Sequence, residues 1–262
     1  MRASTVCTMA VGTPAAAEKK AATDKENDDA LLAVATLTRT PILITDHVEA
    51  DAAVTEIVTA LQQPGARKVI AVDCEWIGEQ KLGADVVQIA ASTGPLYVFH
   101  VARMRHFPRG LKQLLADEAF AKVGCCLWVD RGRLKHNGAP LSPIVELAHL
   151  ARDRGIIKGS RASLKELARV VLLRRLPKGP AQTSNWKQAL DADQLAYAAL
   201  DVEVTVAIHA ALIALPAPAA TPEDLAELAA ATARKVREPP KKKAKPLPKG
   251  QKTMAAFFKP KA

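Results

Sequence analysis

Asp73 and Glu75 stand two apart in the apolar run Lys68-Val69-Ile70-Ala71-Val72-Asp73-Cys74-Glu75-Trp76. On a strand, side chains two apart share a face, so both carboxylates would point one way and Cys74 the other. Two acids on one face of a central strand repel each other and lose hydration. A hard divalent cation, Mg2+ or Mn2+, relieves both penalties. Taken alone the pattern is short, and a solvated acid beside a turn cap explains it more simply. Tyr197 and Asp201 are four apart in a stretch of helical period and therefore share a helix face. Alone, they read as a core aromatic and a solvated acid. Asp130 follows the strand-like run Val123 to Leu127, where an N-cap is the plainer reading. The order of the three pieces is what is specific. An Asp-x-Glu on the first core strand, an Asp after a later strand and a Tyr-x-x-x-Asp on a late helix make a four-carboxylate site. Such a site can hold two ions about 3.5–4 Å apart, one activating a water and the other stabilising the leaving oxygen of a phosphodiester. Tyr197 would orient the attacking water or the phosphate.

Elements that could carry these residues are legible along the chain. Pro41 to Thr45 reads as an edge strand opened by proline. Ala50 to Gln62 has helical period and stops at Pro64-Gly65. Strands are expected at Lys68 to Trp76, Asp85 to Ala91, Leu96 to Val101 and Ala121 to Leu127. Ser92-Thr93-Gly94-Pro95 joins the second and third of these as a hairpin. A short helix is expected from about Arg109 to Leu115. Ser142-Pro143 reads as an N-cap with proline in the first turn, and Ser163 to Glu166 as a capping box. Asp191 to Gln194 opens a helix running to about Leu215, and Thr221 to Asp224 opens a last one to about Arg237. Strands and a hairpin first, then helices, predict an α/β layer with a mixed sheet. The expected organisation is a disordered segment 1–40, one catalytic domain 41–215, a helix 216–238 and a basic tail 239–262.

The combination resembles a known family, the Werner-syndrome-type exonucleases in the Tyr-containing (DEDDy) branch of the DEDD superfamily, which have a ribonuclease H-like fold. The matching pieces are Ala71 to Trp76, Phe99-His100-Val101, Lys122-Val123-Gly124 with Asp130 and Leu134, Ser163 to Ala168, Leu176-Pro177-Lys178, Ser184-Asn185-Trp186 and Tyr197 to Asp201. They cover about Pro41 to Leu215 in family order and at family-like spacing. The resemblance implies 3'→5' removal of nucleotides from nucleic-acid ends, DNA more readily than RNA. It also implies two Mg2+ or Mn2+ ions on Asp73, Glu75, Asp130 and Asp201, with Tyr197 assisting. Trp76 and Trp186, inside matching segments, are expected to contact substrate. Ribonuclease D-like relatives share the same acids, so RNA is the alternative substrate. A weakly active, clamp-tethered binding module is the alternative class. The chain departs from the pattern at Val129-Asp130, where relatives commonly have Gly-Asp, at Gly124-Cys125-Cys126-Leu127, where the family strand is richer in glycine, and at His149, where relatives often carry an acid.

Charge and tails complete the reading. The 262 residues are 49 % hydrophobic, with a formal charge of +10. Eight lysines and no acid lie in 239–262, which leaves +2 for residues 1–238. The high charge is therefore a property of the tail, and the nucleic-acid reading of the body rests on its motifs. Cys7, Cys74, Cys125 and Cys126 have neither zinc nor disulfide spacing; three lie in strand-like runs as small hydrophobes. No apolar run approaches the 18 or so residues of a membrane span, and no membrane partner is expected. The acidic stretch from Asp24 to Asp29 argues against a long transit peptide. Gln251, Met254, Phe257 and Phe258 resemble the box that binds the sliding clamp, the proliferating cell nuclear antigen (PCNA). A single tight turn would gather Met254, Phe257 and Phe258 into one apolar plug. Arg234 to Arg237 and Lys241 to Lys245 read as a nuclear localisation signal, so a nuclear location is expected.

Overall fold

The computed structural model describes residues 31–78, 82–177 and 179–216. These all belong to the unit Met1–Pro218; Ala219–Ala262 are a second unit, outside the described residues. The expected helix from Thr221, the basic tail and the clamp box therefore lie outside them, as do residues 1–30.

Six strands form one mixed sheet: β2 (Pro41–Ile44), β3 (Val69–Glu75), β4 (Val86–Ala90), β5 (Leu96–Phe99), β6 (Ala121–Gly124) and β7 (Ile144–Glu146), in the spatial order β2-β5-β4-β3-β6-β7. β3 pairs antiparallel with β4, and β4 antiparallel with β5; β3–β6, β6–β7 and β2–β5 are parallel. Helices cover both faces. α1 (His47–Gln62), α2 (Arg109–Ala116) and α3 (Leu127–His136) close the face that carries Ile70, Val72 and Cys74. α4 (Leu147–Asp153), α5 (Leu164–Leu172) and α6 (Ala192–Ala214) close the face that carries Val69 and Ala71. The mixed sheet flanked by helices is the ribonuclease H-like α/β arrangement expected from the motifs.

Caps set the helix ends. The Asp46 carboxylate accepts from the N–H groups of Val48 (2.8 Å) and Glu49 (3.0 Å), starting α1 three residues before the expected Ala50. Asp191 and Gln194 form a reciprocal capping box at the start of α6, satisfying N–H groups that a helix leaves without partners. α6 is long and apolar enough to cross a membrane by length and composition alone, contrary to the reading that no such stretch exists. It packs on β3, β4, β5 and β6 and on α5, with Ala198, Val202 and Ile208 wholly buried. Contact with the sheet on one side and a helix on another accounts for its apolar positions.

Three expectations fail for local reasons. The fourth strand stops at Gly124, because Cys126 adopts a left-handed conformation (φ 62°) and α3 begins at Leu127. Cys126 is accordingly exposed, while Cys74 is buried. Ser142-Pro143 opens no helix. The peptide is cis, the Pro143 carbonyl accepts from the Lys122 N–H (2.9 Å), and Ile144–Glu146 continues as β7. Finally, ordered contacts begin before Pro41. Ala33–Val34 (β1) pairs with Arg174–Arg175 (β8), and the Thr38 hydroxyl donates to Glu203 on α6 at 2.6 Å.

Candidate active site

Asp73 and Glu75 leave β3 on the α6 side, as alternation requires, and α6 brings Asp201 over them. One carboxylate oxygen from each of Asp73, Glu75 and Asp201 lies within 4.8 Å of the others. Asp130 sits in the first turn of α3 and not at its cap, because Cys126 takes the cap position. It is 4 % exposed and lines the same cleft, but is not one of that trio. The cleft has a volume of about 1130 Å3 and is also lined by Trp76, Ser163, Lys165, Gln182 and Tyr197. Thr36 and Leu37 line it too, so the segment expected to be a disordered leader supplies part of the wall.

The electrostatics follow from crowding. Burial pushes the Asp73 carboxyl up to about 7. Burial first, then the negative fields of Asp73, Asp201 and Asp130, push Glu75 up to about 10. Asp130 is raised well above the usual carboxylate range by burial and by Asp73 and Glu146; Asp201 is raised by burial and by Asp73. Each acid thus holds a proton more tightly than in water, because the charged form is poorly solvated and faces its own kind.

The donor set fits a hard divalent cation. Carboxylate oxygens are the ligands Mg2+ and Mn2+ prefer, and a cation would remove the repulsion that now holds the protons on. One buried amide beneath the site lacks partners. Gln88 lies directly opposite Asp73 across β3–β4 and is wholly buried, yet neither atom of its carboxamide has a hydrogen-bond partner. A buried amide left unpaired costs about 1–3 kcal/mol, a local polar cost beneath the carboxylates, although Gln88 itself does not line the cleft.

Tyr197 projects from α6 one turn before Asp201. Burial and then the negative field of Asp201 hold its phenol well above the usual value. It stays a neutral donor. Trp186 lies beside it with ring centroids 6.2 Å apart. Trp186 has no exposed surface, which corrects its expected role. A ring with no accessible face cannot stack on a base; it packs beneath Tyr197. Trp76 is half-buried on the cleft wall with the Arg133 guanidinium 4.4 Å above its ring, and keeps a face for contact.

Glu146 escaped the sequence reading. At the end of β7 its two oxygens accept from the N–H groups of Cys126 (2.8 Å) and Leu127 (3.0 Å), fixing the start of α3 and hence the place of Asp130. The signal was hidden because Ser142-Pro143 read as the start of a helix, which concealed the strand pairing Gly124 with Glu146. Gly124 itself is obligatory in this packing. A Cβ there would lie 2.7 Å from the Val72 carbonyl oxygen of the strand that carries Asp73.

A sheet of this order is the ribonuclease H-like arrangement, and the carboxylates gathered at the end of its central strand make a site that could hold a divalent metal ion. Comparison with known proteins agrees. The family model described as 3'-5' exonuclease matches residues 46–214, and the chain belongs to that family. Exonuclease 3'-5' domain-containing protein 2 of Mus musculus is 32 % identical over 158 residues, 56 % of this chain and 24 % of that protein. The Mus musculus bifunctional 3'-5' exonuclease/ATP-dependent helicase WRN is 32 % identical over 149 residues, 54 % of this chain and 10 % of that protein. The chain thus spans a quarter or less of these relatives' own length. The solved structure of Brucella melitensis NrnC bound to pGG matches with a TM-score of 0.53 at 22 % identity, covering 68 % of this chain and 82 % of that one. At that identity the likeness is one of fold.

Proposed function

We propose that this chain hydrolyses phosphodiester bonds at the 3' ends of DNA, in repair or replication, with two Mg2+ or Mn2+ ions. The observation that carries the reading is the convergence of Asp73, Glu75 and Asp201, with Asp130 on the same wall, in one open cleft. When bound, such ions supply an activated water and charge neutralisation at the leaving 3' oxygen. Asp73, Glu75 and Asp201 would hold one, and Asp130, on the same wall, would help to hold the other. Tyr197, kept neutral, donates towards the water or the scissile phosphate. Trp76 offers its ring to the terminal base. Glu146 keeps Asp130 in place through the first turn of α3.

The test is degradation of a 5'-labelled duplex with a recessed 3' end, in Mg2+, Mn2+ or EDTA, with a matched RNA strand alongside. The expected result is a metal-dependent ladder that shortens from the 3' end and is stronger on DNA. Cleavage of RNA alone would move the substrate to RNA. No cleavage of either strand by folded, metal-supplied protein would leave the binding-module reading.

The sliding clamp PCNA is the proposed partner and the nucleus the proposed location. Support comes from Gln251, Met254, Phe257 and Phe258 and from the lysine clusters before them, all outside the described residues. Two adjacent phenylalanines in a Lys-rich tail suit a partner's hydrophobic groove. A peptide of residues 246–262 is expected to bind the clamp and to lose binding with Phe257→Ala/Phe258→Ala. An inert peptide removes the clamp from the proposal.

A further inference from the structure

We propose that Arg103, Arg105 and Arg109 form a phosphate track that leads a nucleic-acid strand to the carboxylate cleft, an inference that rests on the exonuclease reading.

The segment Val101 to Lys112 reads Val-Ala-Arg-Met-Arg-His-Phe-Pro-Arg-Gly-Leu-Lys and contains no acid. The fold divides it cleanly. Val101, Met104, Pro108 and Leu111 are buried, while Arg103, Arg105, His106 and Arg109 are exposed. Short backbone bonds fix the turn, Arg103 N–H to His100 O (3.0 Å) and Met104 N–H to Val101 O (3.2 Å). The arginines are therefore presented by a seated segment. Among the described residues none of the three makes an ion pair or a side-chain hydrogen bond. Glu49 and Asp51 lie on the neighbouring α1 but form no ion pair with them. Three unpaired guanidinium groups on a body that carries only +2 over residues 1–238 are a local concentration of charge with no internal use.

Topology puts this concentration at the same edge of the sheet as the site, with α2, which Arg109 opens, on the face opposite the one that carries Asp73 and Glu75. Val87 is level with Cys74 on one side and with Phe99 on the other, so β5 and β3 end at the same edge of the sheet. Beyond that edge the backbone is laced across. The Asp85 N–H donates to Glu75 O (2.9 Å) and the Ala102 N–H donates to Asp85 O (2.9 Å). Ala102 is thus two strand spacings, about 10 Å, from the Glu75 backbone. Along a helical strand rising about 3.4 Å per nucleotide, that is about three nucleotides. A strand whose 3' end occupies the carboxylates and whose preceding nucleotides cross that edge would meet Arg103 first, with Arg105 and Arg109 beyond it. Guanidinium forks suit phosphate oxygens, and the contact would be indifferent to sequence.

The test compares wild-type full chain with Arg103→Gln/Arg105→Gln/Arg109→Gln on two substrates, a single-stranded 20-mer and the mononucleotide ester thymidine 5'-p-nitrophenyl phosphate. Binding of the 20-mer is also followed by anisotropy in Ca2+. The side chains are exposed, so an unchanged melting temperature is the folding control. The expected result is KM and Kd for the 20-mer raised about tenfold, with the salt slope of log Kd reduced by about 2, since each phosphate contact to a single strand contributes about 0.7. Hydrolysis of the mononucleotide ester should be unchanged. An unaltered salt slope, or equal losses on both substrates, overturns the track. So does loss of binding to phosphatidylserine vesicles with 20-mer binding intact, which would assign the patch to a membrane surface. Failure of the parent reading looks different: the wild type cleaves neither substrate, while the triple variant still weakens 20-mer binding.

Discussion

Asp73→Ala should lower turnover by at least about 10³-fold, corresponding to about 4 kcal/mol of lost transition-state stabilisation, while the metal-free protein stays folded. The two halves of this expectation have one cause. Asp73 stands in the carboxylate trio, faces Gln88 across the strand pair, and contributes to the raised proton affinity of Glu75, Asp130 and Asp201. Removing it takes away a ligand that both ions would share. It also removes a poorly solvated acid whose charge opposes three others, so the isosteric Asp73→Asn should melt in EDTA at or above the wild-type temperature. Adding Mg2+ should then raise the melting temperature of wild type and leave that of either variant unmoved, because a ligand stabilises only what binds it. Turnover on the labelled duplex and melting with and without metal read out both halves. An active, well-folded Asp73→Ala protein would sink the metal-site assignment. A variant that unfolds would show instead that the acid is structural.

The second expectation concerns pH. Metal-free protein should be most stable in mild acid and lose stability as pH rises, the reverse of ordinary acid denaturation. Asp73 and Glu75 titrate near 4 in an unfolded chain and are raised to about 7 and about 10 in the fold. Between those limits the folded state binds more protons than the unfolded state, so the slope of unfolding free energy against pH is negative. The stabilisation is fully present below pH 4. It fades through pH 7 as Asp73 must ionise, and further towards pH 10 for Glu75. Each tenfold gain in a carboxylate's proton affinity on folding corresponds to about 1.4 kcal/mol, or about 2–4 °C in melting temperature for a domain of this size. Saturating Mg2+ should flatten the trend, since the ion takes the place of the protons and its binding releases them. Melting curves from pH 4.5 to 9 in EDTA and in Mg2+ check this. A metal-free melting temperature that rises across that range would mean that the carboxylates are well solvated and the cluster no trap for a cation.

Much of this was readable before any coordinates. Alternation along an apolar strand is a local rule, so Asp73 and Glu75 on one face followed from their spacing. The helical period did the same for Tyr197 and Asp201. The Asp191 capping box fixed the start of α6, and with it how far down the helix Asp201 sits. The ligand types, the mixed sheet and the family were therefore set by residues close together in the chain.

Tertiary structure decided what depends on residues far apart. No local rule shows Glu146 reaching back to the N–H groups of Cys126 and Leu127, because the link is a parallel pairing of β6 and β7 across some twenty residues. Nor does periodicity separate Trp186 from Trp76. Both are aromatic and both fall in matching segments, but one is enclosed by the α6 side of the sheet and the other keeps a face on the cleft. Thr36 and Leu37 line the cleft beside Thr38, whose bonds to Glu203 join residues far apart in the sequence. The arginines of 101–112 share a sheet edge with Glu75 only through the pairing of β3, β4 and β5. Sequence determines which groups share a face within an element, since that follows from fixed backbone periods. Which elements meet, and which side chains they enclose or leave open, is determined only when the whole chain has buried its apolar surface.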